Sequence, residues 1–490
     1  MLKKLRIALG TLSFALITLV FLDFTGTLHH WFSFLAKIQF LPAVLALNIG
    51  VIVALLALTI LFGRVYCSII CPLGIMQDLF FRLGNKQKKN RCTYSPAKNW
   101  LRYSVLVIFV LAFLLNINAL VAILAPYSAY GRIASSIMQP IYIACNNVLA
   151  YFAERINSYT FYSTEVWLKS LPTLIVAAIT LIIVGVLAWR NGRTYCNTIC
   201  PVGTILGALS RLSIFKIQID TEKCNSCGLC AMNCKAACIN SKEHEIDYSR
   251  CVGCFNCIET CRKGSIKFAP VKHATKCNNE ESSVDNSRRK FLATSALITA
   301  TTIVKAQTDS VDGGLAAIED KKKPTRQTPI KPCGSVSLAN FSKHCTACQL
   351  CVSECPNQVL RPSSNLATFM QPEMSYELGY CRPECTRCAD VCPTGAILKI
   401  SKEQKSSTQI GHAVWIADNC LANKGTKCDN CFRHCPTSAI SMMPKADNQE
   451  IKIPIVDNER CIGCGACENL CPSRPFSAMY VEGNEVHHEN

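Results

Sequence analysis

The sequence predicts a multidomain protein in which an α-helical membrane domain with four transmembrane helices is joined to small α+β units built on sets of cysteines. Three observations lead there. Of 490 residues, 50% are hydrophobic and 17% charged, a balance that leans toward a membrane protein with attached soluble parts. The chain holds 33 cysteines, most of them in tightly repeated spacings. An Arg-Arg pair followed by a mildly apolar run, Ser287-Arg288-Arg289-Lys290-Phe291-Leu292, separates two cysteine-rich halves. These features divide the chain into a helical domain (1–215), a first cysteine unit (216–270), a linker (271–332) and a second cysteine unit (333–490).

Four apolar runs approach the ~20 residues a helix needs to cross ~30 Å of hydrocarbon: Ile7 to Phe24, Leu41 to Phe62, Tyr103 to Pro126 and Leu171 to Trp189. Ile133 to Phe152 contains Gln139, Pro140, Asn146 and Asn147, so it reads as re-entrant or interfacial. Arg82, Lys86, Lys88, Lys89, Arg91 and Lys98 follow the second run, whereas only Lys37 follows the first. By the positive-inside rule, both ends of the domain face the cytoplasm. Asp23, Asn48, Asn116 and Asn118 are polar groups at membrane depth that either line a quinone pocket or join helices by hydrogen bonds. No histidine falls within a span, which argues against a membrane haem held by a histidine pair.

The helical domain contains a repeat, Arg64-Val-Tyr-Cys67-Ser-Ile-Ile-Cys71-Pro72-Leu-Gly74 and Arg193-Thr-Tyr-Cys196-Asn-Thr-Ile-Cys200-Pro201-Val-Gly203. Cysteines four apart share one face of a helical turn. If both copies sit at the inner membrane surface, four thiols can converge as a redox pair, a metal site or a further cluster site. The competing reading is that small, weakly polar cysteines simply pack helix ends.

The first unit reads Cys224, Cys227, Cys230, Cys234, then Cys251, Cys254, Cys257, Cys261. Three thiolates two residues apart wrap a cluster corner, and the fourth reaches the neighbouring cluster, the ligand pattern of a bacterial-type ferredoxin with two 4Fe–4S clusters. Lys235 and Arg262 stand where proline is usual. Cys238 and Cys277 fit no set and read as ordinary thiols. In the second unit, the sets are Cys345, Cys348, Cys351, Cys355; Cys381, Cys385, Cys388, Cys392; Cys420, Cys428, Cys431, Cys435; and Cys461, Cys464, Cys467, Cys471. Extra residues before the second ligand enlarge a loop in the middle two sets but keep the three-cysteine tail, so four more clusters are expected. Short strands are expected at Ala396 to Ile400, Val414 to Ala417 and Ile451 to Val456, with clusters rather than a large apolar core holding the unit together. Ser310 to Pro332 reads as a flexible tether. Six clusters at about −2 each would reduce the formal charge of +18 to roughly +6, so the basic balance gives no reason to invoke nucleic acid.

The Arg-Arg segment has the layout of a twin-arginine export signal, with Ala306 as the small residue after its apolar run. Export of a folded domain suits this cargo, because clustered thiols threaded unfolded into an oxidising compartment would pair as disulfides before iron arrived. Residues 216–285 are then cytoplasmic and 310–490 periplasmic, in a bacterial inner membrane.

Residues 1 to about 270 resemble NapH and related membrane polyferredoxins, and residues from about 285 on resemble NapG, so the chain looks like a fusion of the two. Cys333 stands where the latter family usually has proline. The resemblance implies a quinol dehydrogenase-like electron-transfer component, with quinol from the membrane pool as substrate and a periplasmic reductase or cytochrome as acceptor. The Cys67, Cys71, Cys196 and Cys200 quartet is the expected place for electrons to come in or cross. The alternative is a membrane polyferredoxin acting in copper reduction or oxidase maturation. No Gly-rich dinucleotide fingerprint follows a strand, and no acid–base catalytic constellation is present.

Overall fold

The computed structural model describes residues 1–23, 25–87, 92–158, 161–164, 166–270, 320–445 and 448–489. Arg288, Arg289, Ala306 and Cys277 lie outside the described residues.

Helix α1, Leu2–Leu22, is the axis of the helical part. Its proline-free run of leucine, alanine and isoleucine favours an unbroken helix, and 21 residues at 1.5 Å each give a length of about 31 Å. Helix α1 ends at Asp23, whose backbone turns extended. The Asp23 carboxylate accepts hydrogen bonds from the backbone N–H groups of Thr25, Gly26 and Leu28, which redirects the chain into the next short helix.

Of the four expected spans, α1 and Leu171–Asn191 are single helices long and apolar enough to cross a membrane. The second expected span breaks into Phe40–Leu45 and helix α2, Ile49–Phe62. The break falls at Leu47, with φ 51°, and Asn48, whose side chain caps the Val51 N–H. The third breaks into helix α3, Asn99–Leu114, and Asn118–Leu124, with Asn116 at φ 56°. Asparagine tolerates the left-handed region and bonds backbone with its side chain, so it ends helices. Asn48 and Asn116 are exposed and act as punctuation. The broken pieces pack together through Leu41, Leu45, Phe109, Ala112, Val121 and Ala125. The Ile133 to Phe152 segment is helical, running from Pro126–Ile133 through a π-turn at Ala134–Met138 into Gln139–Arg155.

Each Cys-x3-Cys-Pro motif forms a short turn of helix leading into a proline-started helix, Pro72–Gln87 in the first copy and Pro201–Ser210 in the second. Proline suits a helix start because its missing N–H would have no partner there. The four cysteines are buried, each 4–6% exposed, in the same core as Tyr66 and Tyr195. They therefore lie inside the helical part, away from solvent. Gly10 of α1 faces Ser68 and Ile69 and stands about 6 Å along the axis from Arg6.

The first cysteine unit sits at the start of α1, where Lys3 pairs with Glu259. Its outer strands, Phe215–Ile219 and Ile266–Pro270, pair antiparallel, and a two-residue pair, Ile239–Asn240 with Glu245–Ile246, lies between them in sequence. Phe62 at the end of α2 stacks on Phe215 and Phe268, at 5.6 and 6.5 Å, and ties this unit to the helices.

The second unit sits at the other end of α1. Its strand pairs are Thr408–Trp415 with Met479–Glu489, Ile440–Lys445 with Asn448–Val456, and Leu360–Pro362 with Pro372–Met374. The expected strand at 396–400 is irregular instead. An apolar core that the cysteine spacing does not foretell joins Phe341, Leu350, Tyr376, Ile410 and Val481. Residues 320–332 are not a free tether but a strap on this unit. Lys321 donates to the Glu468 and Asn469 carbonyls, Arg326 pairs with Glu468, and the Gly483 N–H donates to the Thr328 carbonyl.

A Cβ at Gly74 would stand 2.4 Å from the Cys67 carbonyl oxygen and 2.6 Å from the Arg193 guanidinium; at Gly203 it would stand 2.3 Å from the Cys196 carbonyl oxygen and 2.7 Å from that of Arg64. Gly74→Ala and Gly203→Ala are each expected to destabilise the helical part by about 1–3 kcal/mol through overpacking. Thermal unfolding in detergent, with Gly50→Ala as the control at an open position, measures this.

Candidate electron-transfer centres

The fourth cysteines Cys234, Cys355, Cys392, Cys435 and Cys471 each approach the cysteines of a neighbouring set. In the second unit, Cys392 lies within electrostatic reach of Cys345, Cys348 and Cys351, while Cys355 neighbours Cys381, Cys385 and Cys388. Cys471 neighbours Cys431 beside Cys420 and Cys428, and Cys435 neighbours Cys461 and Cys464, with Cys467 against both. In the first unit, Cys234 approaches Cys254 and Cys257 beside Cys251, and Cys230 neighbours Cys224 and Cys227. Cys261 accepts hydrogen bonds from the Ser265 segment.

Short helices after the second cysteine of each set turn the backbone inward, and residues with positive φ, Phe255, Gln349 and Gly465 among them, make those turns. The fourth cysteines receive N–H···S bonds: Val359 to Cys355 at 3.4 Å, Ile397 to Cys392 at 3.4 Å, Ala439 to Cys435 at 3.2 Å and Ala478 to Cys471 at 3.3 Å. Burial pushes the Cys348, Cys431 and Cys464 thiols up to about 12. Unliganded, they would stay protonated at neutral pH, so cluster binding must displace those protons. A pocket opens among Cys355, Cys381, Cys385 and Cys388. The four-thiol donor set and the N–H donors fit a 4Fe–4S cluster.

The sets follow one another in space. The Gly131 α-carbon of the helical part lies against the Cys348 carbonyl. The set containing Cys348 shares its region with the set closed by Cys355. The Cys381 N–H then donates to the Cys464 carbonyl at 3.0 Å, with Tyr376 bonded to the Gly463 carbonyl at 2.7 Å beside it. Lys405, buried, donates to the Cys381 sulfur at 3.3 Å, to the Arg382 carbonyl at 2.8 Å and to the Cys385 carbonyl.

Several residues take roles that no spacing in the sequence reveals. Cys238, read as an ordinary thiol, is buried 3.6 Å from the Cys234 sulfur and bonds Cys251. Lys235 pairs with Asp78 of the helical part, as do Arg193 and Arg6. At the far end of α1, the Asp23 carboxylate bonds local backbone, and His29 Nδ1 stands 3.4 Å from Asp23 and 2.7 Å from Glu354 of the second unit. This buried contact, with the hydrogen bond from Ser135 to Gln349 and that from Gln139 to the Ser353 carbonyl, docks the second unit on the helices. No spacing rule links His29 to Glu354, which are hundreds of residues apart.

Family comparisons agree with this geometry. A 4Fe–4S binding domain model matches residues 44–91 and 171–219, one copy of the repeat each, and 4Fe–4S dicluster domain models match 344–422 and 424–474. The chain is 33% identical over 169 residues to the methylamine utilization ferredoxin-type protein MauM of Methylobacillus flagellatus, covering 32% of this chain and 70% of that one. It is 31% identical over 176 residues to the ferredoxin-type protein NapG of Escherichia coli, covering 32% and 75%. The chain belongs to this ferredoxin-type iron–sulfur family. It is also 28% identical over 230 residues to the putative electron transport protein YccM of Escherichia coli, covering 45% of this chain and about half, 55%, of that relative. No solved structure matches. The chain is thus an iron–sulfur electron-transfer protein, and the eight cysteines of the first unit rest on their spacing and on the fold.

Two outcomes follow. Lys405→Gln removes a positive charge from the set containing Cys381 and should lower its reduction potential by something on the order of tens of millivolts, read by redox titration. Burial alone would lower the His29 pKa, but the hydrogen bonds to Asp23 and Glu354 raise it. Its contribution to docking is therefore full below the ordinary histidine pKa of about 6.5 and is lost as pH rises through the raised value. Hydrogen exchange at residues 345–355 should increase over that window, and His29→Gln should flatten the dependence.

Proposed function

We propose that the chain carries electrons between quinol in a membrane and a protein acceptor beyond it, as a NapH-like membrane part joined to a NapG-like exported part. The observation that carries this reading is the position of the two cysteine units at opposite ends of α1, whose length of about 31 Å matches the hydrocarbon thickness. In this reading the helical part spans the bacterial inner membrane, the first unit is cytoplasmic, the second periplasmic, and six clusters are divided two and four.

When bound, 4Fe–4S clusters supply storage and transfer of single electrons. The chain's own residues order the thiolate sets in space, donate N–H groups to the sulfurs and place Lys405 against the Cys381 set. Quinol oxidation releases two electrons and two protons, and its chemistry belongs to the quinol. The acceptor is a periplasmic reductase or cytochrome.

Two measurements test the reading. Quinol added to membranes containing the full chain should bleach the iron–sulfur absorbance, and absence of bleaching where dithionite still bleaches would remove quinol as donor. Protease added to spheroplasts should digest residues 320–489, and Arg288→Lys with Arg289→Lys should abolish that accessibility; equal digestion in both would refute twin-arginine export.

A further inference from the structure

The two Cys-x3-Cys-Pro turns are related by reciprocal contacts. Arg64 of the first donates to the Cys196 carbonyl of the second at 3.1 Å, and Arg193 of the second donates to the Cys67 carbonyl of the first at 2.7 Å. Gly74 and Gly203 make room for these guanidinium groups. Hydrogen-bond donors point at the sulfurs as well: Gln77 Nε2 to Cys196 Sγ at 3.2 Å and the Gly203 N–H to Cys200 Sγ at 3.3 Å. Cys71 lies within electrostatic reach of Cys67 and Cys196, and Cys200 of all three others. Mere packing of helix ends requires none of these donors.

Charge makes the stronger argument. Arg64, Arg102, Arg132 and Arg193 are the largest fully buried side chains of the described residues, 0–2% exposed. Arg193 has Asp78. Among the described residues, Arg64, Arg102 and Arg132 hydrogen-bond neutral groups such as Asn197, Ser249 and the Ala122 carbonyl, while Arg64 lies near Cys251, Arg102 near Asp247 and Arg132 near Cys348. Arg64 Nε, Arg193 Nη2 and Gln77 Oε1 have no hydrogen-bond partner among the described residues. Buried cations are costly without negative charge close by. Four thiolates holding an iron–sulfur cluster would set that charge directly against Arg64 and Arg193; four neutral thiols would not.

Sulfur spacing selects the type of centre. Among the described residues, Asp23, His29 and Glu354 are the one trio of ligand atoms within 4.8 Å of one another. No three sulfurs of the quartet are that close, whereas a single tetrahedral ion with metal–sulfur bonds of about 2.3 Å draws its sulfurs to roughly 3.8 Å. The six ferredoxin sets share the wider spacing, as a polynuclear cluster requires.

Placement gives the role. On one side, Asn197 donates to the Ala236 carbonyl and Lys235 connects Arg193 with Cys254 of the first unit. On the other, Tyr66 and Tyr195 border the quartet, Tyr127 neighbours both Tyr66 and Cys348, and Arg132 neighbours both Tyr195 and Cys348. We propose that Cys67, Cys71, Cys196 and Cys200 hold a seventh, polynuclear iron–sulfur centre, counter-charged by Arg64 and Arg193, that links the first unit to the second through the helical part. Each transfer moves one electron: the centre gains it as the neighbouring set is oxidised, then passes it on, with no bond or proton exchanged. The site stands whether or not quinol is the donor.

The test starts with the purified full-length chain. Iron and sulfide analysis together with native mass spectrometry should give two to four iron atoms more than the about 24 of six cubanes. A wild-type count of about 24 overturns the site. Cys67→Ser with Cys196→Ser should lose that increment alone, and an unchanged count would also overturn the site. Arg64→Met keeps the ligands; it should keep the count and shift one reduced-state EPR signal to lower midpoint potential, and a titration with no shifted component would refute the counter-charge. In proteoliposomes with the second unit outward, a membrane-impermeant reductant should bleach all clusters of the wild type but leave those of the first unit oxidised in the double variant. First-unit bleaching at the wild-type rate would refute the link, while the iron count decides the site separately and quinol bleaching tests the donor independently.

Discussion

Buried positive charge is the constraint on which the rest of the helical part depends. Arg6, Arg193 and Lys235 converge on the single carboxylate of Asp78, so α1, both Cys-x3-Cys-Pro turns and the first cysteine unit meet at one point. Neutralising Asp78 alone would strand three cations in an apolar interior, a loss of the kind that typically costs about 3–5 kcal/mol. The same convergence explains lysine at 235, where ferredoxins usually carry proline. Its ammonium reaches out of the unit and fastens it to the helices.

The cysteine sets were legible in sequence because their geometry is local. Three cysteines two apart can wrap only one corner, and Cys392, Cys355, Cys471 and Cys435 land where the spacing of a ferredoxin requires. The twofold repeat around Cys67 and Cys196 was equally plain. The burial of its thiols was not, since nothing in the repeated pattern tells whether a turn faces solvent or the core. That depends on Gly10 admitting the Ser68 backbone and on Tyr66 reaching Gln39 and the Phe40 N–H, contacts between distant segments.

Hydropathy identified apolar stretches but could not see the breaks within them. Leu41 to Phe62 and Tyr103 to Pro126 each average as one span, yet a single asparagine at or beside a residue whose backbone is in the left-handed region divides each. The strap at 320–332 was missed for the converse reason. Lysines and prolines make a segment look solvated, whereas Lys321, Arg326 and Lys331 find carbonyls and a carboxylate that only the folded unit presents.

The crosswise closure of the sets has a consequence for the cell. With Cys392 beside Cys345, Cys348 and Cys351, and Cys355 beside Cys381, Cys385 and Cys388, each cage would draw its last thiol from the neighbouring stretch of chain. A nascent chain that stops short of Cys392 would therefore leave the earlier cage open, so that loading of the pair waits on synthesis of both stretches.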